Sequence, residues 1–196
     1  RTHMRMNGSW HRYRPGERWR LAPSRARLVL EVPGAVAVCF DAPVVELFEQ
    51  RTEPLHPSLG RLGPDLLAAT WSEADAAEVL RRLRHPDRAS WTISQALLDQ
   101  RALAGIGNIW RNETLFAEGV DPFALVRDLD DATLERLVTT SRRLLSQSVR
   151  RAPGRTPLAV YRRTRRPCRR CGTPIRSAPL VTELPRTTYW CPACQA

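Results

Sequence analysis

Four cysteines near the end of the chain have the spacing of a metal site. Cys168 and Cys171 form one Cys-x-x-Cys pair, and Cys191 and Cys194 form a second pair after nineteen intervening residues. Two such pairs can direct four thiolates at one ion, in the closed tetrahedral arrangement of a structural Zn²⁺. The pattern therefore predicts one structural zinc, with no open position for a substrate. Two disulfides are the alternative, although nothing else in the sequence resembles a secreted scaffold.

The charge of the chain indicates an anionic partner. It has 31 Lys and Arg residues, all of them arginines, against 20 Asp and Glu residues, and a formal net charge of +11. Twelve of the arginines and no acidic residue lie between positions 142 and 176. Guanidinium groups fit phosphate oxygens, so this block favours a polyphosphate partner over a merely solvated face or a genomic bias towards arginine. Without a run of about 18 apolar residues, the sequence does not indicate a membrane protein.

A second candidate for anion binding is the turn Gly105-Ile-Gly-Asn108. Its glycines precede a helix that we expect to begin near Asn108, and the free N–H groups at the start of a helix favour an anion. A Gly-x-Gly-Asn sequence also occurs in ordinary turns. Asn108 could cap the helix or direct its amide at a phosphate, and the spacing does not decide between these two roles.

The elements that must position these residues fall into three parts. The N-terminal part is rich in β-structure, with strands predicted over 27–32 and 35–40 around a Pro33-Gly34 turn. Helical patterns follow at three further places, which are 72–83, 93–100 and 131–149. A basic linker over 150–157 then leads to the cysteine-rich segment.

Three blocks of the sequence resemble one family of DNA-repair enzymes. The segment from Asp99 to Phe116 resembles the helix–two-turn–helix signature of the bacterial formamidopyrimidine-DNA glycosylase and endonuclease VIII family. Residues 160–175 and 186–195 resemble that family's zinc finger, and residues 2–10 resemble the strand pair that carries its void-filling residue. The resemblance implies an α+β fold with three domains, which are a partial N-terminal β-sandwich over 1–68, a helix–two-turn–helix DNA-binding domain over 69–152, and a linker with a four-Cys zinc-finger β-hairpin over 153–196.

This resemblance implies a base-excision-repair enzyme that is both a DNA glycosylase and an AP lyase. In the family, the secondary amine of an N-terminal proline attacks C1′ of the damaged nucleotide, and β- and δ-elimination follow. The expected partner is double-stranded DNA with an oxidised base or an abasic site, and the expected cofactor is one structural Zn²⁺ per chain. The expected protein is a monomer of the bacterial cytoplasm, associated with the nucleoid.

The family's catalytic segment has no counterpart between Arg1 and Ala196. Its proline is followed by a glutamate and assisted by a lysine of the same domain, whereas Arg1 aligns downstream of all three and the sequence has no lysine. We therefore expect this chain to bind DNA without forming a Schiff base. A catalytically dead damaged-DNA-binding module is one alternative. A zinc-ribbon protein of the transcription or ribosome machinery is another, although it would not need the glycine turn.

The resemblance also gives roles to individual residues. Arg186 matches the finger arginine that grips the phosphates beside the lesion and assists δ-elimination, and it is the catalytic candidate. Met6 matches the side chain that fills the space left by the everted base, with an ordinary core methionine as the alternative. Arg111 is a weaker candidate for DNA contact, and we expect Glu113 to orient the glycine turn. The other DNA-binding candidates are His3, Arg5, Gly107, Asn108 and Arg163.

The branch of the family is indicated by a missing motif. Formamidopyrimidine glycosylases carry an Asp-Pro-Arg-Arg-Phe-Gly sequence whose arginine enters the helix opposite the lesion. The corresponding stretch, Phe40-Asp-Ala-Pro-Val-Val-Glu-Leu-Phe48, lacks it. This difference favours the endonuclease VIII branch, whose members resemble one another in preferring oxidised pyrimidines.

Overall fold

The computed structural model of the protein describes residues 1–5, 7–151, 156–180 and 186–196. The chain forms two compact units, unit 1 (Arg1–Gly60) and unit 2 (Arg61–Ala196). Met6, the candidate for the void-filling role, lies outside the described residues, as does part of the predicted linker. The domain limits at residues 68 and 152 stay sequence-based predictions.

Unit 1 is built from short antiparallel strands. They are β1 (Thr2–His3), β2 (Ser9–Tyr13), β3 (Ala26–Val32), β4 (Ala35–Phe40) and β5 (Val44–Val45), with 3-10 helices at Pro23–Arg25 and Gln50–Leu55. β4 lies between β2 and β3 in a three-stranded sheet, and β1 pairs with β5 in a two-stranded one. The predicted hairpin of β3 and β4 is confirmed, and Gly34 adopts a φ of 80° in its turn, which glycine tolerates without strain.

The centre of the three-stranded sheet follows from the composition of β4. Its sequence, Ala-Val-Ala-Val-Cys-Phe, is apolar on both faces, and Val38, Cys39 and Phe40 are fully buried. Tyr13 packs in the same cluster, and the Trp19 ring meets the Phe40 ring edge-on at 5.8 Å. A strand that is apolar on both faces is stable only between neighbours, so β4 takes the central position.

Unit 2 contains the long helices and the C-terminal hairpin. Its elements are α1 (Glu73–Leu83), α2 (Ile93–Ala96), α3 (Asn108–Glu118), α4 (Asp131–Arg150), β6 (Arg176–Leu180) and β7 (Arg186–Trp190), with 3-10 helices at Pro86–Arg88 and Val126–Asp128. Ser72 and Asp75 form the capping box predicted at the start of α1. Asp130 caps α4 by accepting a hydrogen bond from the N–H of Thr133.

The helix predicted over 93–100 is shorter than expected, because α2 ends at Ala96. The polar residues that follow bind other segments instead of continuing the helix. The carboxylate of Asp99 accepts hydrogen bonds from Arg88 and Arg101, and the carbonyl of Gln100 accepts one from the N–H of Gly63. Burial raises the pKa of Asp99, but the hydrogen bonds from the two arginines outweigh that effect and lower it.

One aliphatic core joins the helices of unit 2. Its members come from α1, α2, α3, α4 and the intervening turns, and they include Leu83, Ile93, Leu97, Leu103, Leu115, Leu134 and Leu137, all fully buried. The predicted apolar face of α4 thus packs on α1 and α3. Within the described residues, no helix combines the length and apolarity that crossing a bilayer requires.

Some arginines of unit 2 act as internal cross-links. The Arg84 guanidinium donates hydrogen bonds to the carbonyls of Val126 and Leu129, at 2.8 and 2.6 Å. Arg142 donates one to the carbonyl of Leu66 at 2.6 Å. A guanidinium has five donors and can satisfy several carbonyls in irregular segments at once. These guanidinium groups therefore stabilise the fold, and their bonded N–H groups are not available to a polyanion.

Candidate nucleic-acid interface and metal site

The glycine turn before α3 is closed by the side chain of Gln100. Its amide accepts a hydrogen bond from the N–H of Gly105 and donates one to the carbonyl of Ile106, both at 2.9 Å. Gly105 has a φ of 101°, and an added Cβ would lie 3.1 Å from Oδ1 of Asp65, so the position favours glycine. Gly107 follows as an exposed N-cap without a side-chain cap. The first N–H groups of α3 are thus available to an anion.

Asn108 ties α3 to the finger hairpin. Its Nδ2 donates to the carbonyl of Thr187 at 3.3 Å, and its Oδ1 accepts from Nη2 of Arg111 at 2.8 Å. The N-cap of α3 is Gly107, so Asn108 is not the cap. Asn112 adds a second connection, because its Oδ1 accepts a hydrogen bond from the backbone N–H of Tyr189 at 2.8 Å.

Arg111 is a buried cation with incomplete hydrogen bonding. The residue is 0% exposed, and its Nε and Nη1 have no partner among the described residues. Burial lowers the pKa of Arg111 to about 10, and the positive charge of Arg186 contributes to that shift. No described carboxylate pairs with either guanidinium. A buried, unpaired cation next to a second one is costly unless an anion binds there.

Arg186 begins β7 and is half-buried; its backbone pairs with Leu180 of β6, and its guanidinium has no hydrogen bond or ion pair with any described residue. Its charge acts on Arg111, and the neighbouring Thr187 carbonyl binds Asn108. The structure thus brings Arg186 and Asn108 together around the buried Arg111, and Gly107 directly precedes Asn108 in the chain. Arg163 instead donates to the carbonyl of Pro167 at 3.0 Å, in the loop before the first cysteine.

His3 and Arg5 belong to unit 1. Both side chains are exposed, and Nδ1 of His3 accepts a hydrogen bond from the backbone N–H of Arg5 at 3.2 Å. Arg5 adopts a φ of 45°, so the chain turns sharply there. This turn leads directly into Met6, outside the described residues.

The prediction that Glu113 orients the glycine turn is wrong. The Glu113 side chain instead binds the segment that precedes the finger. Its carboxylate accepts three backbone N–H hydrogen bonds, from Ala159 at 2.7 Å, Val160 at 3.0 Å and Tyr161 at 2.9 Å. The residue is only 7% exposed. A buried carboxylate that accepts several N–H bonds is strongly held, so Glu113 fixes the entry to the finger against α3.

We expect Glu113→Gln to destabilise unit 2 by about 2 kcal/mol. The substitution removes the negative charge that strengthens three hydrogen bonds, and the new NH₂ group cannot accept a hydrogen bond from a backbone N–H. Urea unfolding followed by circular dichroism measures the change. Glu135→Gln is the matched control, since Glu135 is an exposed carboxylate without a described partner. Equal unfolding midpoints for the two variants would contradict this role.

The finger is fastened to α3 by residues that the sequence analysis does not single out. The amide of Gln195 accepts from the N–H of Cys191 and donates to the carbonyl of Val120, both at 3.0 Å. Arg170 donates to the carbonyl of Phe116 at 2.9 Å and lies 4.3 Å over its ring. The only sequence signal for Gln195 is an amide directly after the last cysteine.

The four C-terminal cysteines lie together as their spacing predicts. Their sulfurs are all within 4.8 Å of one another, and all four cysteines are free thiols, so the disulfide alternative is not realised. Cys171 lies 3.4 Å from both Cys191 and Cys194, sulfur to sulfur. A tetrahedral ion with Zn–S bonds of about 2.3 Å holds its sulfurs about 3.8 Å apart, so the cluster fits such an ion. The cysteines can therefore bind one metal ion.

A glycine turn that leads into a helix, with a four-cysteine hairpin fastened to that helix, defines a helix–two-turn–helix protein with a metal-binding finger. Residues 62–158 match the family model described as "Formamidopyrimidine-DNA glycosylase H2TH domain". The chain is 40% identical over 203 residues to the "Probable endonuclease 8 2" of Streptomyces coelicolor, covering 100% of this chain and 71% of that protein. It belongs to the formamidopyrimidine-DNA glycosylase and endonuclease VIII family.

Two further comparisons agree with this assignment. The chain is 39% identical to the "DNA-(apurinic or apyrimidinic site) lyase Nei2" of Mycolicibacterium smegmatis, covering 99% of this chain and 74% of that one. A solved complex between the Lactococcus lactis Fpg and DNA with an abasic site has a TM-score of 0.80 at 22% identity, over 99% of this chain and 73% of the other. The names of the two sequence relatives agree with the endonuclease VIII branch, and the structural likeness shows the fold.

Proposed function

We propose that this protein is a base-excision DNA glycosylase and AP lyase that acts on double-stranded DNA with an oxidised base, most of all an oxidised pyrimidine, or an abasic site. The observation that carries the proposal is the buried guanidinium of Arg111, which has unpaired donors and the charge of Arg186 beside it. A pair of cations without a carboxylate, at the uncapped start of a helix, suits a phosphate of the DNA backbone. The names of the two relatives support the reaction class.

Individual residues receive the following roles in this proposal. The N–H groups after Gly107 and the amide of Asn108 hold a phosphate beside the lesion. Arg186 grips the same phosphates, and its guanidinium neutralises the phosphate that leaves in δ-elimination. Met6 fills the space of the everted base. His3, Arg5 and Arg163 give additional phosphate contacts.

The covalent step belongs to the family's N-terminal proline, and we assign it to no residue between Arg1 and Ala196. A secondary amine forms a bond to C1′ while the damaged base leaves with the bonding electrons, which gives an aminal at C1′. The C1′–O4′ bond then breaks, O4′ takes up a proton, and the ring-opened sugar carries an iminium at C1′. The iminium acidifies the C2′ proton, so the 3′ phosphate and then the 5′ phosphate can leave. Residues of this chain position and neutralise those phosphates.

We assign a structural Zn²⁺ to Cys168, Cys171, Cys191 and Cys194. All-thiolate ligation is typical of structural zinc, and it supplies no reaction chemistry here. Its effect is to fix the hairpin that carries Arg186. Reduced thiols and a DNA substrate are consistent with the bacterial cytoplasm, close to the nucleoid.

The proposal predicts lesion-dependent DNA binding by residues 1–196 without covalent trapping. Fluorescence anisotropy is expected to show tighter binding to a duplex with a tetrahydrofuran abasic analogue than to the undamaged duplex. Raising the salt from 50 to 200 mM should weaken binding by about 10²-fold if about four phosphates are neutralised. Borohydride should trap no adduct with abasic-site DNA, because the chain has no lysine amine to replace the proline.

Each outcome separates the proposal from its alternatives. Equal affinity for damaged and undamaged duplexes would argue against lesion recognition. Efficient borohydride trapping would show that the nucleophile lies within these residues. A catalytically dead module predicts that joining the family's proline-bearing segment restores no base release, whereas the proposed enzyme then releases the base and cleaves the strand.

A further inference from the structure

A groove runs between α1 and α4 on unit 2, apart from the residues assigned to DNA. Its volume is about 770 Å³, large enough for several apolar side chains. It is lined by Trp71, Glu73, Ala76, Ala77, Leu80, Glu135, Val138, Thr139 and Arg142.

The floor of the groove is apolar. Val138 is almost fully buried there, and Leu80 and Trp71 pack on the helical core from the groove side. Ala76 and Ala77 add only methyl groups, and small side chains on one helix keep the groove open. The α1 residues that line the groove are spaced three or four positions apart, so they lie on one face of the helix: Glu73, Ala76, Ala77 and Leu80.

The rim of the groove carries two carboxylates without partners. The side-chain carboxylates of Glu73 in α1 and Glu135 in α4 have no hydrogen bond or ion pair with any described residue. Every other described carboxylate of unit 2 has one or both. Both carboxylates are therefore free to pair with a cationic group of a binding partner.

The charge of this surface is opposite to that of the whole chain. Among the described residues that line the groove, Arg142 is the one cation; its guanidinium donates to the carbonyls of Leu66 and Ala68 and lies 5.0 Å over the Trp71 ring. Two carboxylates against one arginine give the groove a net negative charge, whereas the chain carries +11. This charge disfavours nucleic acid and favours a cationic occupant.

We propose that the groove between α1 and α4 is a docking site for a cationic amphipathic helix of another protein. The apolar stripe of that helix packs on Leu80, Val138 and the alanines, and its arginine or lysine side chains pair with Glu73 and Glu135. Docking a helix by its apolar stripe into a groove is a common mode of peptide recognition. The flanking ion pairs set the orientation and exclude acidic helices.

The probe is a fluorescein-labelled helical peptide of about 18 residues, with leucines at i, i+4, i+7 and i+11 and arginines beside them. A matched peptide carries glutamates in place of the arginines. Anisotropy titrations with residues 1–196 are expected to show saturable binding of the arginine peptide alone, even though the chain and the peptide are both cationic. No binding of either peptide at about 1 mM, or equal binding of both, overturns the proposal.

Variants locate the site. The double variant Glu73→Gln/Glu135→Gln is expected to weaken binding about fivefold through loss of two surface ion pairs. Ala77→Gln places a longer side chain in the groove and should weaken binding at least about tenfold, whereas Ala74→Gln makes the same change at an exposed alanine of α1 outside it. Equal effects of the two alanine variants, or displacement of the peptide by a short DNA duplex or by a second copy of the chain, also overturn it.

Discussion

Removal of the metal is expected to unfold the finger and to abolish lesion binding while the helices of unit 2 stay folded. The finger packs in a small cluster of five buried residues, of which Phe116 comes from α3 and Cys168 and Cys191 are metal ligands. Structural zinc contributes about 10–16 kcal/mol to small folds of this kind, so the hairpin cannot hold its shape without it. The helical core has sixteen buried members and does not depend on the thiolates.

The measurement combines metal analysis, circular dichroism and DNA anisotropy before and after chelation. One equivalent of zinc after dialysis is expected, together with a loss of the hairpin signal and retention of the helical signal. Cys191→Ala should reproduce the effect of the chelator. Cys39→Ala is the matched control, because Cys39 is a buried thiol of unit 1 remote from the cluster in sequence, and its loss should leave the zinc content at one. A metal-free protein whose hairpin amides stay protected from exchange would contradict the prediction.

Replacement of Arg186 is expected to change the products of the reaction and not only the affinity for DNA. In the enzyme that carries the family's N-terminal proline, Arg186→Ala should slow base removal and slow δ-elimination further, by about 10²-fold, as for loss of one group that stabilises developing charge. β-elimination product then accumulates. A gel of the products from abasic-site DNA at fixed salt measures the ratio.

Two further variants separate geometry from charge. Arg186→Lys should recover little, because a point ammonium cannot reproduce the two parallel hydrogen bonds of a guanidinium. Arg151→Ala removes an exposed arginine just beyond α4 and should weaken binding slightly, with an unchanged product ratio. If Arg186→Ala and Arg151→Ala give the same ratio, Arg186 acts only as surface charge.

Local signals in the sequence predict much of this fold. The capping box at Ser72, the hairpin around Gly34 and the paired cysteines each depend on residues a few positions apart, and the structure contains all three. The glycine turn is of the same kind, since the φ of Gly105 is a property of one residue. Such features can be predicted from the sequence because residues close together in the chain determine them.

The hydrogen bonds that join distant segments of the chain cannot be predicted from the sequence in the same way. Glu113 binds residues 159–161, and Asn112 binds the N–H of Tyr189, both across long stretches of chain. Their partners are backbone N–H groups, which every residue except proline offers, so no residue type identifies them. The burial of Arg111 could not be predicted from the sequence either, because its sequence context is that of any arginine in a helix. It is buried where β7 packs on α3.

The fastening of the finger to α3 has a thermodynamic consequence. Asn108 and Asn112 bind the hairpin, and Gln195 joins the last metal-binding loop to the turn after α3. If the metal raises the affinity for damaged DNA by some factor, then bound DNA must raise the affinity for the metal by the same factor. The repair complex would thus protect its own cofactor, and a chelator would act mainly on protein that is not engaged with a lesion.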